Sequence, residues 1–185
     1  MTEPGPTAPR IEPGDRADLG RLTWTIATVS GRVAGTGPPN LFRVLGRHRR
    51  LFRGWLRFAG RLMPGGTLPR RETELVILRV AHLRGCEYEF EHHVRLGERA
   101  GVTPFDVERV KEGAEAAGWT ERERVLLDTV DELHETGDLS DDAWTDLRAH
   151  VDPQRAIELV MLVGHYEMLA TTITALRIPL DRPRR

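Results

Sequence analysis

Apolar residues recur along this chain at the spacing of helices buried on one face, and no segment shows the sustained alternation of a strand. The densest run is Leu75, Val76, Ile77, Leu78, Val80 and Ala81, apolar almost all round, which predicts a central buried helix. Arg84-Gly85 breaks it, and a second helix is expected from Cys86 to Ala100-Gly101, so Arg70 to Gly101 reads as a helical hairpin. Upstream, residues 1–20 are rich in Pro, Gly and charge and read as a flexible arm, one that could cross a subunit boundary. Leu22 to Ala34, with Trp24, Ile26 and Val29, reads as a brief helix, and Gly35 to Pro39 as a break. Asn40 is placed as the N-cap of a helix whose Leu41, Phe42, Leu45, Leu51, Phe52, Leu56, Phe58, Leu62 and Met63 run to Pro64, with an interruption near Gly46.

Downstream of the hairpin, Thr103-Pro104 with Asp106 starts a helix expected to reach Ala117-Gly118. Thr120 to Glu123 is a capping box, opening a helix with Val125, Leu126, Val130 and Leu133 inward that stops near Gly137. Ser140 caps the next, with Trp144 and Leu147 inward. Asp152-Pro153 opens the last, whose Ile157, Val160, Met161, Val163, Met168, Leu169, Ile173 and Leu176 suit a core or a subunit contact. The expectation is an all-α domain of about seven helices over residues 21–185, behind the arm.

Composition narrows the class. The chain has 185 residues, 39% hydrophobic, which is enough for one domain with a core. A net charge of −1 gives no whole-chain pull toward nucleic acid or membrane, and neither is an expected partner. There is no run of about 18 uninterrupted apolar residues and no signal-peptide pattern, so the expected location is cytoplasmic. The single cysteine cannot close an intrachain disulfide, which fits a reducing compartment. Charge is uneven: residues 1–70 hold twelve arginines against four acids. Arg43, Arg47, Arg49, Arg50, Arg53, Arg57 and Arg61 fall on the helix over 41–63. No nucleic-acid reading motif accompanies them, so they read as a solvated face or as partners of acids on a neighbouring subunit.

The chemistry concentrates in the hairpin. At about 100° per residue, Cys86, Glu89 and His93 fall within roughly 60° of one another, with Phe90 and Leu96 near enough to bury that face and Tyr88 and Glu91 pointing elsewhere. A thiol, a carboxylate and an imidazole facing a helix that carries Glu74 form a proton-handling set. Glu74 reads either as a carboxyl desolvated into a proton relay or as a first-turn glutamate favoured by the helix dipole. Glu89 and His93, four apart, are either a surface ion pair or an imidazole oriented by a carboxylate. Cys86 is either a nucleophile at a helix N-terminus or a small buried residue. His92, about 100° away, takes a supporting role. Glu74, His82, Glu89, His93 and His165 could in principle ligate a metal, but no H-E-x-x-H or paired Glu-x-x-His pattern is present, and neither metal nor cofactor is expected.

At these residues the chain resembles the carboxymuconolactone decarboxylase and alkyl hydroperoxidase D-like superfamily. Glu74 stands in the run RRETELVILRVA, Cys86 matches the first cysteine of the family's peroxidase pattern, Glu89 stands where the second cysteine would be, His93 matches the histidine, and Phe90 replaces the usual tryptophan. The resemblance covers roughly residues 41–180, including the C-terminal run with His165-Tyr166. It implies a helical bundle, a homo-oligomer, a pocket to which Phe90, His165 and Tyr166 contribute, and a small organic acid or lactone as substrate. The missing second thiol argues against an internal-disulfide peroxidase cycle. The expected activity is that of a cofactor-free decarboxylase-like lyase or isomerase, with His93 moving a proton, Glu89 orienting it and Glu74 relaying protons. The alternatives are a thiol-dependent hydroperoxide reductase using Cys86 and a catalytically silent ligand-binding oligomer.

Overall fold

The computed structural model describes residues 8–182, and among them the chain forms nine α-helices and no strand. They are α1 (Arg16–Ala34), α2 (Asn40–Leu45), α3 (Arg49–Leu62), α4 (Arg70–Leu83), α5 (Glu87–Arg99), α6 (Pro104–Glu112), α7 (Glu121–Thr136), α8 (Asp141–His150) and α9 (Pro153–Leu176). The all-α expectation holds. The count exceeds the expected seven in part because the helix over 41–63 is two helices parted at Gly46. A Cβ there would stand 2.1 Å from Leu19 Cδ2 and 2.6 Å from the Phe42 carbonyl oxygen, so only glycine permits that approach. The chain divides into two compact units, Met1–Arg57 with Thr171–Arg185, and Phe58–Ala170, the boundary falling inside α3 and α9.

In the first unit the expected arm over residues 1–20 is corrected. Residues 1–7 lie outside the described part, but from Ala8 onward the segment is tied down. Arg10 donates to the carbonyls of Ala175 and Leu176, Arg43 to those of Gly14 and Pro13, Arg47 to Glu12 and Arg49 to Asp18. Several arginines thus satisfy backbone carbonyls that an irregular segment would otherwise leave to water. Asp15 then starts α1 with a capping box, six residues earlier than expected, and the chain departs from helical geometry at Gly20. Asn40 is not the N-cap of α2. Pro39 occupies that position, and the Asn40 amide instead holds the Pro179 and Leu180 carbonyls. Phe42, Phe52 and Trp55 stack edge and face with centroids 5.4–5.7 Å apart.

In the second unit α4 is the central helix, packed against α5, α6 and α7, with every residue from Thr73 to Ala81 buried. Its entry is held from α9: the Glu158 carboxylate accepts from the Thr67 N–H and hydroxyl and from the Leu68 N–H. α5 lies close on α4 because Gly97 faces it. A Cβ there would be 3.2 Å from Val102 and 3.6 Å from Glu74 Cβ, a tight fit even for alanine. On another side of α4, Arg71 reaches Asp106 at 2.7 Å and Glu123 at 2.8 Å, the two carboxylates that close the capping boxes of α6 and α7. α6 stops at Glu112, short of the expected Ala117-Gly118, where the Arg79 guanidinium takes the Val110 and Lys111 carbonyls.

Trp144, expected inward on α8, is 44% exposed, whereas Leu147 is fully buried. α9 is long and apolar enough to cross a bilayer by length and composition, and 44% of its most apolar window is buried. Leu159, Leu162, Val163, Tyr166 and Leu169 are inside, while Ile157, Met161 and Met168 are exposed.

Candidate active site

Glu74 lies in the second turn of α4 and His93 in the second turn of α5, both buried. The Glu74 carboxylate binds His93 Nδ1 through Oε2 at 2.7 Å and takes an ion pair from Arg70 Nη2 on Oε1 at 2.6 Å. Arg70 is half-exposed and stands one turn before Glu74, so an arginine–carboxylate–imidazole line runs from the surface into the interior. A carboxylate on Nδ1 fixes the imidazole's orientation and leaves Nε2 as the nitrogen able to exchange a proton with a ligand.

This corrects the expected pairing. Glu89 does not orient His93; Glu74 does, from the neighbouring helix. Glu89 is 3% exposed, and neither of its carboxylate oxygens has a hydrogen-bond partner of good geometry among the described residues. Burial pushes its carboxyl up to about 8, with the Cys86 thiol working against that and Glu167 adding to it. At neutral pH Glu89 is therefore a carboxylic acid and a potential proton donor. Cys86 is the N-cap residue of α5 and equally buried. Burial first, then the Glu89 carboxyl beside it, pushes the thiol up to about 12, so the resting group is a thiol rather than a thiolate.

α9 supplies the opposite wall. The Tyr166 ring meets that of His93 edge-on at 5.1 Å, and the His165 ring meets Tyr166 at 5.2 Å and Phe58 at 5.2 Å. Burial, then the Glu74 and Glu89 carboxyls, hold the Tyr166 phenol well above its usual range, so it stays protonated. His165, lowered to about 4 by burial and His93, is neutral. The structure thus brings Glu74, Cys86, Glu89, His93, His165 and Tyr166 into one cluster. Phe90 stands apart from it, packed with the α4–α6–α7 core cluster and beside His82 at 6.3 Å between centroids.

Two supporting groups had a weak sequence signal. Arg70, four residues before Glu74, is the commonest helical ion-pair spacing. Tyr88, read as pointing elsewhere, is buried and stacks on His92 at 6.5 Å with the planes 5° apart. His92 is lowered to about 3 by burial, His93 and Arg95. No three His, Cys, Asp or Glu side chains among the described residues converge to hold a metal ion.

Residues 49–132 match the model of the carboxymuconolactone decarboxylase family. Among solved structures, a putative antioxidant defence protein AhpD from Agrobacterium tumefaciens is 24% identical, over 71% of this chain and 91% of its own, with a TM-score of 0.65. An uncharacterised peroxidase-related protein from Silicibacter sp. is 19% identical over 98% of this chain and 95% of its own, with a TM-score of 0.83. A cysteine-to-alanine variant of the debrominase Bmp8, in complex with 2,3,4-tribromopyrrole, is 15% identical over 96% and 94%, with a TM-score of 0.80. At these identities the likeness to solved structures is one of fold. No curated protein matches the sequence.

Proposed function

We propose, from the match of residues 49–132 to the carboxymuconolactone decarboxylase family model, that this chain is a cofactor-free lyase of the decarboxylase kind. The observation that carries this reading is the buried Glu74–His93 pair at 2.7 Å, set beside a neutral Glu89. Loss of CO2 from a carboxylated lactone breaks one carbon–carbon bond and leaves its electron pair in a conjugated enolate. One proton must then reach carbon for each CO2 released. His93 Nε2 delivers it, Glu74 on Nδ1 holds the imidazolium in place with Arg70 on its outer oxygen, and Nε2 takes its next proton from water that enters as product leaves. The Glu89 carboxylic acid and the Tyr166 phenol are uncharged donors suited to the developing enolate oxygen in a site with little water. The same reading takes the chain to be a homo-oligomer, for which the exposed Ile157, Met161 and Met168 of α9 are a suitable apolar surface.

The assay is CO2 release and ultraviolet loss on 4-carboxymuconolactone. His93→Gln is expected to lower kcat by about 10²–10⁴, with a smaller loss for Glu74→Gln and little change for Cys86→Ala. The rate should fall as pH rises through about 8, where Glu89 ionises. Absence of turnover in the wild type rejects this substrate, and an undiminished His93→Gln rejects the role of His93. The thiol-dependent alternative has one supporting feature, the contact of Cys86 with Glu89, but a buried thiol raised to about 12 is a poor nucleophile at rest. It predicts the reverse ranking, with Cys86→Ala inactive.

A further inference from the structure

The turn between α4 and α5 borders a surface depression of about 390 Å3 that shares Cys86, and no other residue, with the Glu74–His93 cluster. Ala81 and Cys86 are its buried part, Phe90 is half-buried, and His82, Glu87 and Lys111 are exposed. Phe90 has two polar neighbours: the Lys111 ammonium stands 5.6 Å from the ring centroid, and the His82 ring lies 6.3 Å away. The floor is apolar and aromatic, and one cation stands at its edge.

The charges around it differ in how firmly they are held. Arg79 is committed to Asp131 at 2.6 Å and 2.9 Å and to two backbone carbonyls, and Arg84 pairs with Glu167 at 3.2 Å. Lys111, the only lysine in the chain, pairs with Glu108 at 2.7 Å, and that glutamate is 67% exposed. An ion pair so open to water holds its partners weakly, and the ammonium can exchange one carboxylate for another. Burial, Arg79 and Lys111 all lower the His82 imidazole, which leaves it an uncharged hydrogen-bonding group at neutral pH. Glu87 repels an anion at the rim and so directs the charged end of a ligand toward Lys111.

We propose that this depression is a docking site for a small aromatic carboxylate, its ring on Phe90 and Ala81 and its carboxylate on Lys111 in place of Glu108. The site lies over Cys86, whose thiol neighbours the Glu89 carboxyl. It goes beyond the lyase reading, because occupancy requires Lys111 and Phe90 and not the His93–Glu74 pair.

The experiment is a fluorine NMR titration of the full chain with 4-fluorobenzoate, and with 4-fluorobenzamide as the uncharged probe. The benzoate should bind, the benzamide should bind at least about fivefold more weakly, and Lys111→Met should cost the benzoate roughly five- to tenfold in Kd. Lys111→Arg should retain most of that affinity, which separates loss of charge from loss of fold. Equal binding of the two probes, no binding of either, or indifference to Lys111→Met overturns the proposal. The lactone assay on the same preparations keeps the two claims apart. Benzoate binding without lactone turnover leaves the docking site standing and rejects the lactone as substrate. Turnover without benzoate binding does the opposite.

Discussion

Two faces of α4 each bury two carboxyl groups, and they treat them in opposite ways. On one face Asp106 and Glu123 are fully answered. Each closes a capping box with a threonine and each takes a bond from Arg71, at 2.7 Å and 2.8 Å. Burial alone would raise both carboxyls, yet Arg71 and the threonine donors hold both below their usual range. On the other face Glu74 is answered, by His93 and Arg70, but Glu89 is not, and His92 and His165 are held neutral. A saturated network fixes the ends of three helices and has no donor or acceptor left for a ligand. An unsaturated one stores unfavourable free energy that a ligand can recover, and this is how buried polar groups at reactive sites differ from those of a scaffold.

Breaking the saturated face should destabilise the chain. Arg71→Met leaves Asp106 and Glu123 without their shared cation and is expected to lower stability by about 2–4 kcal/mol, reduced from the fully buried case because Arg71 is partly exposed. Urea unfolding at pH 7 measures it, and a loss under about 1 kcal/mol would mean that the threonine caps suffice without the arginine. The unsaturated face should respond with the opposite sign. Glu89 has a folded value of about 8 against 4.5 for the ordinary carboxyl, so the folded state binds more protons than the unfolded one between those limits. Stability due to Glu89 is therefore undiminished below about 4.5, falls as pH rises, and levels off above about 8. Glu89→Gln removes the titration and should stabilise the chain by about 2–4 kcal/mol at pH 8 relative to its effect at pH 4. A pH-independent difference would show that Glu89 ionises normally in the folded chain.

Each face was legible in the sequence only where its pattern is local. Helical stepping placed Cys86, Glu89 and His93 together, because that geometry is local to α5. It misassigned the partner of His93. Glu89 is four residues away and Glu74 nineteen, and what decides between them is the closeness of α4 and α5 that Gly97 permits. The contribution of Tyr166 depends on α9 returning to the hairpin from more than seventy residues downstream, which periodicity does not report. On the saturated face Thr103, Asp106, Thr120 and Glu123 were readable as caps, since a capping box is a four-residue pattern. Arg71, which joins the two, carries no local mark. The N-terminal segment was misread for a related reason: its composition is that of a loose chain, and its order comes from arginines thirty or so residues away.

The smallest effect tests whether the unsaturated face also limits stability in acid. His92 and His165 are held at about 3 and about 4 in the folded chain against 6.5 for an ordinary histidine. Here the unfolded state binds more protons, so stability is intact above about 6.5 and is lost as pH falls below it, the reverse of the Glu89 window. His92→Gln removes one of the two groups. The variant also loses the stack on Tyr88, a packing cost that does not depend on pH and cancels when the variant is compared with itself. Its stability relative to wild type should therefore improve by about 1–2 kcal/mol between pH 8 and pH 5. A difference that stays flat over that range would place the acid sensitivity elsewhere, with the depressed carboxyls Asp106 and Glu123 as its source. Those begin to take up protons only below about 4.5, whereas His92 begins to act at about 6.5, so the pH at which the two unfolding curves diverge identifies which face of α4 gives way first.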